Sequence, residues 1–245
     1  KADAQNFIIL IERFKRRNER GYIIRDFLGA DLDTEIPLDK IDELFIRYNS
    51  DNEVAEIYER VRAIAEEIGL TFSFSEKEFN KDNRLGVYSL YDNSVIFNAH
   101  FLYSSYLTPQ EKASTIVHEM IHAVTLYAIN GYENGMANLP VELKKAAKHI
   151  IEIYEKAVKN NPILVEEVLN YATNEVKEVA EYGTTDVHEM IAEISNPAFR
   201  DKLKLIEYDG SNVWERLWDW IKSIFVRKNN EKVAVYNHLM SALDT

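Results

Sequence analysis

At 245 residues the chain can bury a real core, either as one domain or as one domain with appendages. Its net charge of −12, from 41 Asp and Glu against 29 Lys and Arg, leaves no compensating basic stripe and argues against a nucleic-acid partner. The lack of Cys excludes a disulfide framework or a thiolate metal site, and no apolar run reaches membrane-spanning length, so neither a membrane role nor a disulfide-rich secreted fold is expected.

The chain opens with an amphipathic helix predicted over residues 6–28, with Phe7, Leu10, Ile11 and Phe14 at helical spacing. The cluster of Arg13, Lys15, Arg16, Arg17 and Arg20 reads as its wet face. A loop over 29–37 precedes helices at 41–48 and 53–68, with Gly69 as a stop, and Thr71-Phe72-Ser73-Phe74 reads as a short strand. Residues 85–91 and 94–98 read as a hairpin around a two-residue turn at Asp92-Asn93. Its second strand is a candidate for pairing with an extended ligand by strand addition. His100 reads as a surface or loop histidine.

The next helix carries the most informative pattern in the chain, His118-Glu119-Met120-Ile121-His122. Thr108 as N-cap, Pro109 at N1 and Glu111 at N3 form a capping box, and Asn130-Gly131 is a plausible stop, giving a helix from about Pro109 to Ile129. Positions i and i+4 share a helix face, so both imidazoles can reach one metal ion while Glu119 addresses a water on it. The flanking Thr115, Ile116, Val117, Ala123 and Val124 are uncharged, as a buried metal-binding helix requires. This H-E-x-x-H run states zinc-assisted hydrolysis, usually of a peptide bond, with Glu119 as general base.

A catalytic zinc site wants three protein ligands and an open position. Thr125 and Ala128 stand where metzincins carry a Gly and a third His, so the third ligand is expected to be a carboxylate further on. Glu142 lies at the thermolysin-like spacing and is the alternative ligand. It follows Leu139-Pro140 and also reads as a first-turn Glu complementing a helix dipole, and Ala146 occupies the place of the Asp those enzymes use. Glu189 is preferred. Thr185 or Asp186 can cap a helix on which Glu189 and Glu193 share a face, so that one carboxylate binds the metal and the other holds a ligating His by its second nitrogen. Val-His-Glu-Met-Ile occurs at 117–121 and again at 187–191, but Ala192 replaces the second His, and His188 would project about 100° away from Glu189.

The Y-G-x-T-x-x-x-E-x-x-A-E arrangement over Tyr182–Glu193, downstream of H-E-x-x-H, resembles the catalytic domain of anthrax lethal factor and its gluzincin relatives, over roughly residues 85–205. That resemblance implies His118, His122 and Glu189 as zinc ligands, Glu119 as general base, Tyr182 as the oxyanion donor and Glu193 as the carboxylate behind a ligand. It also implies a zincin-like metallopeptidase fold acting on a protein or peptide substrate. The segment Glu193–Phe199 and the Trp-rich helix after it are also similar to peptidase domains embedded in large phage multidomain proteins.

Two further helices are predicted over 141–158 and 162–181, broken at Asn160-Asn161-Pro162. A late helix over Val213–Phe225, with Trp214, Leu217, Trp218, Ile221 and Phe225 on one face, is expected to dock on the core or a neighbouring domain. The expected fold is thus α+β and mostly helical, with a small sheet beside the H-E-x-x-H helix. Residues 1–68 are expected to form an N-terminal helical region, 69–205 the peptidase core and 206–245 a helical appendage, together one compact unit. The chain begins with Lys1 and shows no signal peptide, so it is expected to be a fragment or processed product whose partners include other domains of a larger parent chain. A cytoplasmic or virion-associated setting fits better than a disulfide-rich secreted one. The competing reading is a non-catalytic structural or packaged component of a phage-type protein that keeps the peptidase fold.

Overall fold

The computed structural model describes residues 31–76, 79, 84–137, 139–170 and 175–225. The helix predicted over 6–28 and its basic face lie outside the described residues.

Strand β1 (Glu35–Ile36) leads into helix α1 (Leu38–Tyr48), which buries Ile41, Leu44 and Phe45 at the i, i+3, i+4 spacing of one helix face. Helix α2 (Asn52–Glu67) starts at Asp51, whose carboxylate accepts from the Val54 N–H at 2.8 Å, and it buries Val54, Ile57, Tyr58, Val61 and Ala65. Gly69, at φ 62°, turns the chain out of it.

Strands β2 (Thr71–Ser75), β3 (Gly86–Ser89) and β4 (Ser94–Asn98) complete a four-stranded sheet in the order β1-β2-β4-β3. β2 runs parallel to β4, whereas β1 and β3 are antiparallel to their neighbours. The expected hairpin is therefore present, with two differences. Its connection is four residues, Leu90 to Asn93, with Asn93 at φ 47°. Its second strand also has no free edge, because β4 is hydrogen-bonded to β2 on one side and β3 on the other. One sequence could not reveal the parallel partner 23 positions upstream, Thr71 opposite Ser94. Alternation buries Phe72, Phe74, Val95 and Phe97, and the rings of Phe74, Phe97 and Phe101 pack at centroid distances of 5.3–6.3 Å. Helix α3 (His100–Tyr103) is a single turn, with His100 exposed as expected.

Helix α4 (Pro109–Glu133) has the predicted capping box. Thr108 Oγ1 accepts from the Glu111 N–H at 3.2 Å, and Glu111 Oε2 accepts from the Thr108 N–H at 2.6 Å. The helix runs a turn past its expected stop. Gly131 stays helical with Leu139 packed on it, and the left-handed residue is Gly135 at φ 65°. The Met136 N–H reaches the Gly131 carbonyl at 2.8 Å and the Gly135 N–H reaches Tyr132 at 3.1 Å, a Schellman closure.

Helix α5 (Val141–Ile153) passes into a π-helical turn at Tyr154–Val158, and Asn160 at φ 61° breaks it where the sequence indicated. The helix predicted over 162–181 is a correction. A 3₁₀ turn at Pro162–Leu164 is followed by an antiparallel ribbon of β5 (Val165–Asn170) and β6 (Glu175–Ala180). Val165, Val168, Val176 and Val179 recur at three-residue spacing among Glu and Lys, which imitates a helix face, but β-branched side chains favour the extended state. Lys202 then ties the base of the ribbon, binding Glu166 at 2.9 Å and also Glu181.

Helix α6 (Val187–Glu193) is capped by Asp186, whose carboxylate accepts from the His188 and Glu189 N–H groups at 2.8 and 2.9 Å. Helix α7 (Pro197–Leu203) is capped by Asn196 with Pro197 in its first turn. A minimal hairpin, β7 (Glu207–Tyr208) and β8 (Ser211–Asn212), leads to helix α8 (Val213–Phe225), at the predicted bounds. Its buried face differs slightly from the expected one. Val213, Trp214, Leu217, Trp220 and Ile221 are buried, with Trp220 Nε1 donating to the Ala146 carbonyl at 3.1 Å, while Trp218 lies half-exposed on Trp214. The Phe225 side chain is outside the described residues.

The described residues group into two compact units that interleave along the chain. One takes the stretch up to Asn49 with Thr71–Ile116 and contains the four-stranded sheet, while the other takes Ser50–Leu70 with Val117 onward. In the second unit α8 packs on α2, α5 and α7. The fold is α+β and mostly helical, and among the described residues no helix is long and apolar enough to cross a membrane.

Candidate metal centre

Every residue of the centre lies in the second unit. His118 and His122 are one turn apart on α4, their rings at a centroid distance of 4.7 Å and inclined by 79°, with the two Nε2 atoms 3.1 Å apart. Glu189 reaches in from α6, its Oε2 3.3 Å from His118 Nε2 and 3.4 Å from His122 Nε2. Asp186 is why it can do so, since the cap starts α6 there and sets Glu189 in its first turn.

The three ligand atoms therefore form a nearly equilateral triangle with edges of 3.1, 3.3 and 3.4 Å. A tetrahedral ion with ligands at about 2.0–2.1 Å spaces their atoms by about 3.3 Å, so the triangle matches one face of such a tetrahedron and leaves the fourth vertex for another molecule. Hydrogen bonding alone satisfies this arrangement poorly. Glu189 Oε2 is buried without a well-formed hydrogen-bond partner among the described residues, although two imidazole nitrogens lie within 3.4 Å. A cation at the centre would satisfy all three atoms together. His118, His122 and Glu189 can hold a metal ion, and they are the one such group found among the described residues.

Three further side chains surround the triangle. Glu193, one turn after Glu189, has its Oε2 3.4 Å from His118 Nδ1, which orients the ring so that Nε2 faces the centre. Tyr182 sits in a 3₁₀ turn at Tyr182–Thr184, its ring 6.2 Å from that of His118 and 27° from parallel. Gly183 is required next to it. A Cβ there would lie 2.8 Å from two Phe199 ring carbons and closer still to the third, and Phe199 is fully buried. Glu119 is buried, and its charge acts on both His118 and Tyr182.

Electrostatics bind these groups together. Burial opposes a charge on His118, but the carboxylates of Glu189, Glu193 and Glu119 close around it overcome that and push the imidazole up to about 10. Burial likewise opposes the Glu189 carboxylate, yet the two histidines hold it well below the usual carboxylate range. The Tyr182 hydroxyl is raised, first by burial and then by Glu189, so it stays protonated as a donor.

No protein-family model, curated protein or solved structure matches this chain.

Of the residues singled out in the sequence, His118, His122, Glu189, Glu193 and Tyr182 come together and Glu119 is buried beside them. Glu142 stands in the first turn of α5, and its side chain lies outside the described residues. His188 turns away from the triangle, its Nε2 3.9 Å from Glu133 Oε2, as its helical offset requires. Sequence reasoning missed Arg200 and Asn196. Arg200 is almost fully buried, donating to the Ile194 carbonyl at 2.9 Å, Asp51 at 2.7 Å and Glu53 at 3.2 Å, and so ties the end of α6 to the start of α2. A buried Arg leaves no periodic signal. The N-cap pattern Asn196-Pro197 was readable, but the bond from Asn196 Nδ2 to Glu193 Oε1 at 2.7 Å was not.

Proposed function

We propose that the chain is a zinc-dependent endopeptidase of the gluzincin type with a zincin-like core, as its resemblance to the lethal factor catalytic domain implies. The observation that carries the proposal is the triangle of His118, His122 and Glu189 with edges of 3.1–3.4 Å, flanked by the buried Glu119. Two imidazoles and one carboxylate with an open fourth position are a donor set suited to catalytic zinc. Bound there, zinc would supply Lewis acidity, making water nucleophilic near neutral pH and polarising a carbonyl.

The chain's own groups perform the rest. Glu119 accepts a proton from the attacking water as the new C–O bond forms at the scissile carbonyl carbon, and it returns that proton to the amine nitrogen as the C–N bond breaks. Tyr182 donates its hydroxyl to the oxyanion. Its side chain is 54% exposed, so a substrate can reach the hydroxyl, and its raised pKa keeps the proton available. Glu193 holds His118 in orientation throughout the cycle.

The test is cleavage of a diverse peptide mixture, read by mass spectrometry, with zinc-loaded wild type and Glu119→Gln. New termini from wild type that are absent with the variant, at equal metal content, are expected. Equal cleavage by both would overturn the assignment of the base, and no cleavage by the loaded wild type would favour a non-catalytic component.

A further inference from the structure

Glu193 can orient His118 only if its own carboxylate is held, and α6 ends at that residue. A seven-residue helix has no further turns to stiffen its last side chain, so the restraint must come from outside it. Asn196 supplies that restraint. Asn196 Nδ2 donates to Glu193 Oε1 at 2.7 Å, leaving Oε2 for His118 Nδ1 at 3.4 Å. The other end of the same amide is also fixed, since Asn196 Oδ1 accepts from the Ala198 N–H at 3.0 Å and caps α7. The orientation of the amide is unambiguous, because a carboxylate can only accept and a backbone N–H can only donate. The Asn196 N–H also donates to the Glu193 carbonyl at 2.8 Å, and Arg200 grips the Ile194 carbonyl at 2.9 Å.

We infer that Asn196 is a positioning residue of the metal centre, using the N-cap of α7 as the anchor from which it orients Glu193 and, through it, His118. The inference rests on the metal-binding reading of the His118–His122–Glu189 group. Asn suits the position because one short side chain must accept at the cap and donate to the carboxylate at the same time. Asp caps equally well but has no donor for the second bond and would set a negative charge against Glu193, and Ser would have to serve both partners from one shorter hydroxyl where the amide uses two separate atoms. The two roles can therefore be separated by substitution.

The test uses the full chain as wild type, Asn196→Ser and Asn196→Asp. Zn²⁺ affinity is measured by competition with a chromophoric chelator, together with the visible spectrum of the Co²⁺ form and the melting temperature of the metal-free form. Asn196→Ser is expected to weaken zinc binding about threefold and Asn196→Asp about tenfold, less than the roughly ten- to hundredfold range for a direct partner of a metal ligand such as Glu193. The cobalt spectrum should change while the metal-free melting temperature holds. Wild-type affinity and an unchanged spectrum in both variants would overturn the inference, leaving Asn196 as a helix cap alone. A loss of affinity matched by an equal loss of melting temperature would overturn it as well. Wild type that takes up neither metal would overturn the metal-binding reading beneath it, and the inference with it, whereas tight binding by all three proteins overturns the inference alone.

Discussion

In the metal-free protein the site should carry one proton too many for metal binding. His118 is pushed up to about 10 by Glu189, Glu193 and Glu119 against the opposing effect of burial, so at pH 7 it is an imidazolium. A metal ion needs the neutral ring, and the proton must leave first. Over the three pH units between 7 and 10 this costs about 4 kcal/mol, at about 1.4 kcal/mol per unit. The apparent Kd for zinc should fall about tenfold for each pH unit gained between pH 6 and 8, and titration calorimetry in buffers of different ionisation enthalpy should show close to one proton released from His118. The same shift predicts the stability of the metal-free form. A raised pKa on His118 adds stability that is complete below its usual value of 6.5 and is lost as the pH climbs through about 10. The depressed pKa of Glu189 adds stability that is present above its usual 4.5 and lost in acid. The metal-free melting temperature should therefore peak between about pH 4.5 and 6.5 and decline toward pH 10, and the zinc-loaded form should lack the alkaline decline. Zinc affinity independent of pH, with no proton released, would refute this picture of the centre.

Five substitutions probe the remaining assignments. Glu189→Ala should abolish tight zinc binding while Glu142→Ala keeps it, as measured by metal content after dialysis; the reverse result would move the third ligand to α5. Tyr182→Phe should keep zinc and lose roughly a hundredfold or more in kcat on any cleaved peptide, the usual cost of one oxyanion donor. Gly183→Ala must displace the buried Phe199 ring and should cost about 1–3 kcal/mol in urea denaturation, shifting Tyr182 as well. Arg200→Ala removes the donor to the Ile194 carbonyl and one partner each from Asp51 and Glu53, which keep the Val54 N–H and Lys204, and a loss of about 1–3 kcal/mol is expected from the same assay.

The parts of the centre readable from sequence are those in which chemistry and local structure coincide. His118 and His122 share a face because the Thr108–Glu111 box starts a helix, and Glu189 and Glu193 share one because Asp186 starts another. These are contacts within a turn or two, and spacing alone reports them. The burial of β4 between two partners, one of them parallel, depends on a distant strand. The ribbon of β5 and β6 was misread because valines three residues apart among Glu and Lys fit a helix as well as a strand. On α8, Trp220 rather than Trp218 is fully buried because its indole N–H finds the Ala146 carbonyl, a partner 74 residues away. Asn196 and Arg200 carry second roles that depend on which element folds against them, and helix-cap and charge patterns do not record this.

The most direct measurement is metal content per chain in protein purified without added metal or chelator, repeated after zinc is added and the excess removed. Close to one zinc per chain, lost on Glu189→Ala, is the predicted result. No zinc as purified and none regained on addition would contradict the account, leaving the His118–Glu119–His122 motif without the ion its geometry fits.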